Sequence, residues 1–340
     1  DAQETAAEMA KTLGEEEANM AAFLKGLQDK YEIISELFLE NSLQDLSTWA
    51  SKKAMRGYLN IPNLGLFSTM HTYHARRFKH PKTVQLFDRY ATYNGSNPYQ
   101  TPAILSVIPN LEYNIGAFMP VGGMISITNS LCRLAKELGV EFRMNEKVEE
   151  IVTEGQRAVG IKTAKGIFAF DHVASNMDIR PSYKKLLPQI QSPKKLLNQE
   201  RSSSGIIFYW GINRKFDAVG VHNIFFSDQY KEEFQRIFQD KTLIDDPTIY
   251  LHISSKAATE DAPEGCENWF ILINAPSNEG QDWDDLVQKT RANVIQKLSN
   301  CLGVDLARHI VAEDILDPRS IETRTSSSGG ALYGNASNNK

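Results

Sequence analysis

One stretch of the chain, residues 118–176, carries the pattern that most restricts the fold. It opens with the loop Pro120-Val-Gly-Gly and continues in a predicted helix whose apolar residues share one face and which ends at Gly139. Alternating apolar residues follow, as is typical of strands, and turns that contain glycine separate later strands near Val148 and Val159. This order predicts an α/β segment.

Within that stretch the alternation predicts three strand regions. Residues 140–144 predict a first strand, residues 148–163 an antiparallel ribbon, and the next segment a return strand that ends in Val173-Ala-Ser-Asn176. The two glycines before the helix, Gly122 and Gly123, allow the backbone to approach a ligand closely at a helix amino terminus. A Gly-Gly pair before a helix is, however, more often an ordinary turn.

The rest of the chain predicts a different architecture. Residues 2–40 form an amphipathic helical arm by their spacing, and the second half alternates predicted strands with helices. The strands are expected at 205–212, 248–254 and 268–275, and the helices at 228–238 and 284–302. This order favours an antiparallel sheet with helices on one side. The predicted fold class is therefore α/β plus α+β.

Composition excludes several classes of function. The chain has 340 residues, 37 of them basic and 42 acidic, so its net charge of -5 gives no attraction to nucleic acid. Its three cysteines, Cys132, Cys266 and Cys301, show no metal-ligand or disulfide spacing. We therefore expect no metal, no nucleic-acid partner and a reducing cytoplasm.

The two ends of the sequence and its hydropathy lead to two further expectations. The sequence starts at Asp1 without methionine and stops just after a stretch rich in glycine and serine, so we expect an excerpt from a longer protein. No run of about 18 apolar residues is present that would span a bilayer. A membrane contact is then expected to be peripheral.

Several motifs occur in an order that resembles one enzyme family. The glycine pair, the helix, the ribbon and Val173-Ala-Ser-Asn resemble the middle section of flavoproteins with two dinucleotide-binding domains. The motifs Arg89-Tyr-Ala-Thr-Tyr-Asn-Gly, Ile249-Tyr-Leu-His and Ala262-Pro-Glu-Gly-Cys extend the likeness. The whole chain resembles the bacterial phytoene desaturase family, and is most similar to the branch that desaturates hydroxylated or methoxylated carotenoids at the 3,4 position.

The resemblance implies FAD as cofactor and assigns cofactor-binding residues. The backbone at Val148 is expected to pair with the adenine, the strand ending near Asn176 returns to the cofactor domain, and Gly122 and Gly123 are the other candidates. The family's GxGxxG loop and its carboxy-terminal flavin motif are absent. The implied fold is thus the central part of such a flavoprotein, with an incomplete Rossmann-like FAD domain and a mixed antiparallel-sheet and helical substrate domain.

The same likeness divides the chain into four parts. These are a helical, membrane-facing part of the substrate domain (1–116), a segment of the FAD-binding domain (117–180), a substrate domain with an antiparallel sheet (181–315) and a return towards the FAD domain (316–340).

The implied activity is an FAD-dependent carotenoid desaturase acting on an acyclic carotenoid, with hydroxylated substrates at the 3,4-bond as the first expectation. Alternatives are a phytoene desaturase, another flavin amine oxidase, an enzyme like retinol saturase, and a non-catalytic lipid-binding relative. Oxidation of an unactivated C–C bond needs a hydride acceptor, which no side chain supplies. The protein then has to provide an apolar tunnel that holds one bond beside the flavin.

Few polar residues qualify for roles in such a site. Arg56 and Tyr333 are the catalytic candidates, and His252 and Tyr333 the candidates for the substrate pocket. Each also has a simpler explanation: a surface arginine, a residue of a flexible glycine-rich loop, and a structural histidine. His71 and His74 lie three residues apart on one helix, where a solvated or core face explains them better than a metal pair.

The bend from Leu59 to Phe67, followed by Arg76, Arg77 and Lys79, combines apolar with basic residues. Such a surface suits contact with anionic lipid, although ordinary core packing produces the same pattern. With the resemblance, it leads us to expect a cytoplasmic protein peripherally associated with the inner face of the cell membrane.

Overall fold

The computed structural model describes residues 2–42 and 44–338, so that Asp1, Leu43, Asn339 and Lys340 lie outside the described residues. Two compact units divide the chain. The first takes the chain up to Phe118 together with the segment that begins at Ala336, and the second runs from Met119 to Asn335.

The first unit is helical. Its helices are α1 (Ala2–Leu13), α2 (Glu17–Ile34), α3 (Leu46–Trp49), α4 (Lys52–Leu59), α5 (Ile61–Leu64), α6 (Met70–Ala75) and α7 (Pro81–Asp88). Tighter or wider helical turns occur at Ser35–Leu39, Arg89–Asn94, Ala103–Val107 and Leu111–Ile115.

The amphipathic arm predicted over residues 2–40 is helical but not continuous. Gly14 adopts a left-handed conformation (φ 69°), which ends α1 and lets α2 start in a new direction. The apolar spacing on α2 then buries Phe23, Leu24 and Leu27 in a cluster with Phe87. Phe23 and Phe87 meet edge to face, with ring centroids 4.8 Å apart.

The second unit begins with α8 (Ile125–Glu137) and a small antiparallel sheet of β1 (Val148–Glu154), β2 (Arg157–Thr163) and β3 (Gly166–Ala169) in that order. The predicted helix and ribbon are confirmed. The strand predicted over residues 140–144 is wrong, because that segment pairs with no strand among the described residues. The return strand is also wrong at its end: β3 stops at Ala169, and Val173 to Asn176 are irregular.

A five-stranded antiparallel sheet forms the rest of the second unit. Its strand order is β5-β6-β7-β4-β8. The strands are β4 (Ser204–Ile212), β5 (His222–Phe225), β6 (Ile249–His252), β7 (Glu267–Ala275) and β8 (Ile310–Leu316). The helices are α9 (Ile179–Pro181), α10 (Lys194–Leu197), α11 (Tyr230–Gln235), α12 (Trp283–Leu302) and α13 (Pro318–Thr325). Helical turns occur at Ser182–Leu186, Arg236–Asp240, Ser254–Lys256, Thr259–Asp261, Leu306–His309 and Ser328–Gly330.

The core of this unit lies on one face of that sheet. Alternate residues of the strands, including Trp210 and Trp269, point to this face and pack with Trp283, Val294 and Leu298 of α12. The predicted strands β4, β6 and β7 and the helix α12 are confirmed. Strands β5 and β8, which form the two edges of the sheet, were not predicted. No helix of the described residues is long and apolar enough to cross a membrane.

Candidate functional site

The second side of the five-stranded sheet, which we call the open face, carries two rows of side chains. Residues that pair directly across antiparallel strands share a face. The first row runs from the β8 edge to the β5 edge through Leu316, Ile207, Leu272, Tyr250 and Ile224. The second row, in the same direction, is Asp314, Tyr209, Phe270, His252 and His222.

The middle of the open face is aromatic and aliphatic, and it is half-buried. The alternate residues of β7 that face this way are all partly accessible, whereas their neighbours on the other face are buried. The rings of Tyr209 and Phe270 meet edge to face with centroids 5.5 Å apart, and Tyr250 contacts Phe270 at 6.3 Å. Such a surface suits an extended apolar ligand better than a polar one.

His252, a candidate for the substrate pocket, lies on this open face. Its ring stacks on that of His222 with centroids 4.8 Å apart and an interplanar angle of 17°. His222 Nδ1 lies 2.8 Å from the hydroxyl oxygen of Tyr250. Partial burial, and to a smaller degree the neighbouring His222, lowers the pKa of His252. This shift favours the neutral imidazole, against the opposing effect of Asp261.

Tyr333, the other pocket candidate, lies in a loop that is bonded along the start of β4. Its backbone N–H donates to the Ser202 hydroxyl at 3.0 Å, and the N–H of Leu332 donates to the Ser203 carbonyl at 3.1 Å. The Ser204 hydroxyl donates to the carbonyl of Gly330 at 2.6 Å. The phenol ring itself is half-exposed, and its partial burial raises the pKa of Tyr333. Hydrogen bonds to the residues at the start of β4 thus hold the glycine-rich segment in place.

A polar hub near this loop was missed by the sequence analysis. Asp178 accepts hydrogen bonds from the backbone N–H groups of Arg180 (3.0 Å) and Ser328 (3.1 Å), and also from the Arg201 guanidinium. Arg201 donates in addition to the side-chain oxygen of Asn335 at 2.9 Å. The hub joins the segment that leaves the small sheet, the start of β4 and the loop that carries Tyr333. No local sequence pattern signals it, because its members are up to 150 residues apart.

The glycine pair before α8 has the geometry that close approach of a ligand requires. Gly122 and Gly123 both have positive φ, 80° and 75°, which side chains rarely adopt. A Cβ atom at Gly123 would meet nothing within 4 Å, so the space beside the turn is open. The first residues of α8 have no side-chain cap, which leaves backbone N–H groups at this end of the helix for an acceptor.

The other cofactor candidates lie on separate elements. Val148 is the first residue of β1 and pairs with Thr163 of β2. Asn176 is exposed in the irregular segment after β3. The apolar residues of α8 are also exposed, among them Leu131 and Leu134. An open glycine turn, an uncapped helix and an uncovered apolar helix face fit a dinucleotide-binding domain, so the residues present are compatible with FAD.

The remaining polar candidates lie in the first unit. Arg56 is half-exposed on α4 and lies 3.9 Å from the Glu36 carboxylate. The Nδ1 atoms of His71 and His74 contact the two oxygens of the buried Asp88 at 2.6 and 2.7 Å. Burial lowers the pKa of His74, against the opposing effect of Asp88. His74 therefore lies in the core, and His71 is partly exposed beside it. Within residues 2–42 and 44–338, no group of three or more potential metal ligands is found.

Comparison with known proteins relates the chain to flavoenzymes. A family model described as flavin containing amine oxidoreductase matches residues 63–227. The chain is 46% identical over all 340 residues to a 1-hydroxycarotenoid 3,4-desaturase of Flavobacterium sp. strain P99-3, and covers 70% of that protein. It is 36% identical over 268 residues, 76% of its length, to a 4,4'-diapolycopene oxygenase of Methylomonas sp., of which it covers 53%.

The fold is similar to that of solved flavoenzymes. A putrescine oxidase variant superimposes with a TM-score of 0.52 at 11% identity, over 90% of this chain and 62% of that one. The chain thus spans roughly half to two thirds of the length of several proteins that it matches. The 46% identity to the Flavobacterium enzyme extends over all residues of this chain, and it establishes the family to which the chain belongs. The chain belongs to the bacterial phytoene desaturase family of FAD-dependent carotenoid desaturases.

Proposed function

We propose that the protein is an FAD-dependent desaturase of acyclic carotenoids, and that its substrate is a 1-hydroxylated carotenoid oxidised at the 3,4-bond. The observation that carries this proposal is the 46% identity to a 1-hydroxycarotenoid 3,4-desaturase, which extends over every part of the chain. The aromatic and aliphatic middle of the open face agrees with it, since hydride removal from a hydrocarbon requires positioning above all.

In this proposal the open face holds the polyene. Leu272 and Ile224 offer aliphatic contacts, and Tyr209 and Phe270 offer ring faces and edges. Burial of an apolar chain against these groups provides binding energy of about 25 cal/mol per Å² of apolar surface removed from water. FAD, when bound, supplies the hydride acceptor that no side chain provides.

Residues 117–180 contribute to the FAD-binding domain in this proposal, which would then be incomplete within the chain itself. The Gly122–Gly123 turn and the start of α8 are the groups that would hold the cofactor, together with the backbone at Val148 and the segment around Asn176. The hub of Asp178 and Arg201 fixes the loop of Tyr333 to the start of β4, and so acts as a positioning element.

Peripheral contact with the inner face of the cell membrane completes the proposal. Helices α4 and α5 and the following turn expose Met55, Leu59 (80%) and Phe67 (84%). Lys52 and Arg56 are exposed on the same helix α4. Exposed apolar side chains beside basic ones suit insertion among anionic headgroups, which would give access to a carotenoid dissolved in the bilayer.

Co-sedimentation with vesicles tests the membrane contact. The protein should bind phosphatidylglycerol vesicles better than phosphatidylcholine vesicles, and the pair Leu59→Ser and Phe67→Ser should abolish the binding. The pair Leu131→Ser and Leu134→Ser, on the exposed face of α8, is the matched control and should not change it. Equal loss in both double variants would contradict the assignment of the lipid-binding surface.

Pigment analysis tests the activity. The gene is expressed in one strain that accumulates a 1-hydroxylated acyclic carotenoid and in another that accumulates phytoene. Longer polyenes in the first strain only are the expected result. Conversion of phytoene would make the protein a phytoene desaturase instead. If the pigments changed in neither strain, the result would contradict the proposed activity and would favour another flavin oxidase, an enzyme like retinol saturase or a lipid-binding role.

A further inference from the structure

The open face ends, at its β5 edge, in a small polar group made of His222, His252 and Tyr250. His222 and His252 are direct cross-strand partners, and Tyr250 lies diagonally from His222. The residues beside them on the next strand are apolar: Phe270 is opposite His252, and Leu272 is opposite Tyr250. An extended ligand lying over the rows of the open face therefore reaches two imidazoles after a stretch of aliphatic and aromatic contacts.

The imidazoles retain hydrogen-bonding capacity. His222 uses Nδ1 for the contact with the Tyr250 hydroxyl, which fixes the ring and leaves Nε2 unused. His252 stacks on His222 and makes no hydrogen bond with the described residues. Its lowered pKa favours the neutral ring, which has one nitrogen as donor and one as acceptor. A single O–H group, which can both donate and accept, complements such a ring.

A hydroxylated carotenoid presents this chemistry, because its chain is apolar and its hydroxyl is polar. Moving a hydroxyl onto an apolar surface without a hydrogen-bond partner has a free-energy cost, which a partner at the right place removes. Asp314, at the opposite edge of the second row, is exposed on β8 and therefore retains its hydration. The half-buried imidazole of His252 is better placed to discriminate between a polyene with a hydroxyl group and one without.

We infer that His222 and His252 bind the hydroxyl group of the acyclic carotenoid and make the protein select hydroxylated over unsubstituted polyenes. The inference rests on the proposed function and deepens it, since it assigns the substrate preference to two residues. Tyr250 acts as a positioning residue through His222.

The experiment compares two polyenes that differ only in the hydroxyl group. The FAD-loaded protein is titrated with each, and Kd is measured from the change in the polyene absorption spectrum; kcat/KM is measured separately for both. The variants are His222→Phe and His252→Phe, which keep a flat ring at the stack but remove the nitrogens. His222→Gln restores a donor and an acceptor. His309→Phe is the matched control, since His309 bonds Asn213 away from the open face.

The parent should bind the hydroxylated polyene more tightly, and each Phe variant should lose about tenfold of that preference, as expected for one hydrogen bond. Binding of the unsubstituted polyene should remain constant, His222→Gln should retain most of the preference, and His309→Phe should retain all of it. An equal loss of affinity for both polyenes would show a merely structural role and overturn the inference. If Asp314→Asn lost the preference and the Phe variants kept it, the hydroxyl group would bind at the β8 edge, and the inference would be overturned.

Binding and turnover separate this inference from the proposed function. A parent that desaturates neither polyene contradicts the proposed activity, whereas the ratio of the two Kd values still decides the role of the imidazoles. A parent that desaturates the hydroxylated polyene with no difference in Kd or kcat/KM between parent and Phe variants contradicts the inference alone. His222 is exposed, so its substitution does not disturb the core. The His222 variants therefore still test the inference if substitution of the half-buried His252 destabilises the protein.

Discussion

Asp178 accepts a hydrogen bond from the guanidinium of Arg201, and both side chains are about nine-tenths buried. Removing one member of a buried pair leaves the other charge without compensation, which typically costs about 3 to 5 kcal/mol. We expect Arg201→Ala to lower the free energy of unfolding by that amount in denaturant titrations. Arg308→Ala, which breaks an exposed pair with Asp305, should lower it far less.

The hub also predicts an effect that is more specific than stability. Asp178 binds the N–H of Ser328 in the loop that carries Tyr333, so its loss should release this loop. Limited proteolysis of Asp178→Ala under native conditions should cut within residues 326–335 faster than in the parent. A variant that unfolds more easily but is cut there no faster would contradict the positioning role.

Glu233 is a buried carboxyl group whose pKa burial raises to about 7, although the backbone N–H and hydroxyl of Thr248 both donate to it. The folded protein therefore holds this proton more tightly than the unfolded chain. Between about pH 4.5 and pH 7 the unfolded chain loses the proton first, so Glu233 makes the protein less stable as pH rises, by roughly 3 kcal/mol over that interval.

Glu233→Gln should remove this dependence. The free energy of unfolding of the variant, relative to the parent, should increase as pH rises from about 4.5 to 7 and stay constant above it. Glu232→Gln, at the half-exposed neighbour that pairs with Arg236, should show no such trend. Chemical denaturation at a series of pH values measures both, and parallel profiles for parent and Glu233→Gln would show that the carboxyl has the same pKa in the folded and the unfolded protein.

Lys30 is buried on α2, and its ammonium lies 4.3 Å from the ring centre of Tyr73 with no hydrogen-bond partner among the described residues. Burial lowers the pKa of Lys30 to about 8. Below pH 8 the charged lysine destabilises the fold, and this effect disappears as pH rises to about 10.5, where the unfolded chain is also neutral. Lys30→Met should therefore stabilise the protein by about 2 to 3 kcal/mol at pH 7 and much less at pH 10.

The matched control is Lys25→Met on the exposed side of the same helix. It should leave the free energy of unfolding nearly unchanged at both pH values. If Lys30→Met destabilised the protein at pH 7, the contact of the ammonium with the Tyr73 ring would outweigh the cost of burying the charge.

The parts of the fold that could be predicted are those encoded by local periodicity. Strand β7 alternates between buried and accessible residues along its nine positions, β4 does so from Phe208 to Ile212, and α12 repeats its apolar residues at helical spacing. Residues 140–144 show the same alternation but form no strand, because a strand also needs a partner for its backbone and none of the described residues provides one. The alternation of apolar residues therefore predicts which face of a segment is buried, and backbone pairing with a neighbouring strand decides whether the segment forms a strand.

The candidate site depends on contacts across long stretches of sequence. His252 could be selected because it ends an apolar strand, but its partner His222 lies on β5, a strand of four residues with no clear alternation. Strand β8 joins the sheet only through its register with β4, about one hundred residues earlier. The hub of Asp178 and Arg201 has the same origin. Such pairs arise from strand register and loop closure, which local composition does not encode.

Two glycines in the loop of Tyr333 provide a matched test of its geometry. Gly330 and Gly334 both have left-handed backbone conformations, with φ of 65° and 76°. A Cβ atom at Gly330 would lie 2.2 Å from the carbonyl oxygen of Pro318, whereas one at Gly334 would meet nothing within 4 Å. Alanine at either position carries the strain of the left-handed region, about 1 to 2 kcal/mol, and only Gly330→Ala adds a clash with backbone.

We therefore expect Gly330→Ala to lower the free energy of unfolding by about 2 kcal/mol more than Gly334→Ala, since crowding of this kind typically costs 1 to 3 kcal/mol. Relief of the clash requires the loop to move away from α13, and this movement would carry Tyr333 with it and weaken the hydrogen bond from the Ser204 hydroxyl to the Gly330 carbonyl. Denaturant titration measures the first effect. If both variants lowered the free energy of unfolding equally, the loop would move away from Pro318 without a loss of stability. Tyr333 would then have no fixed position beside β4.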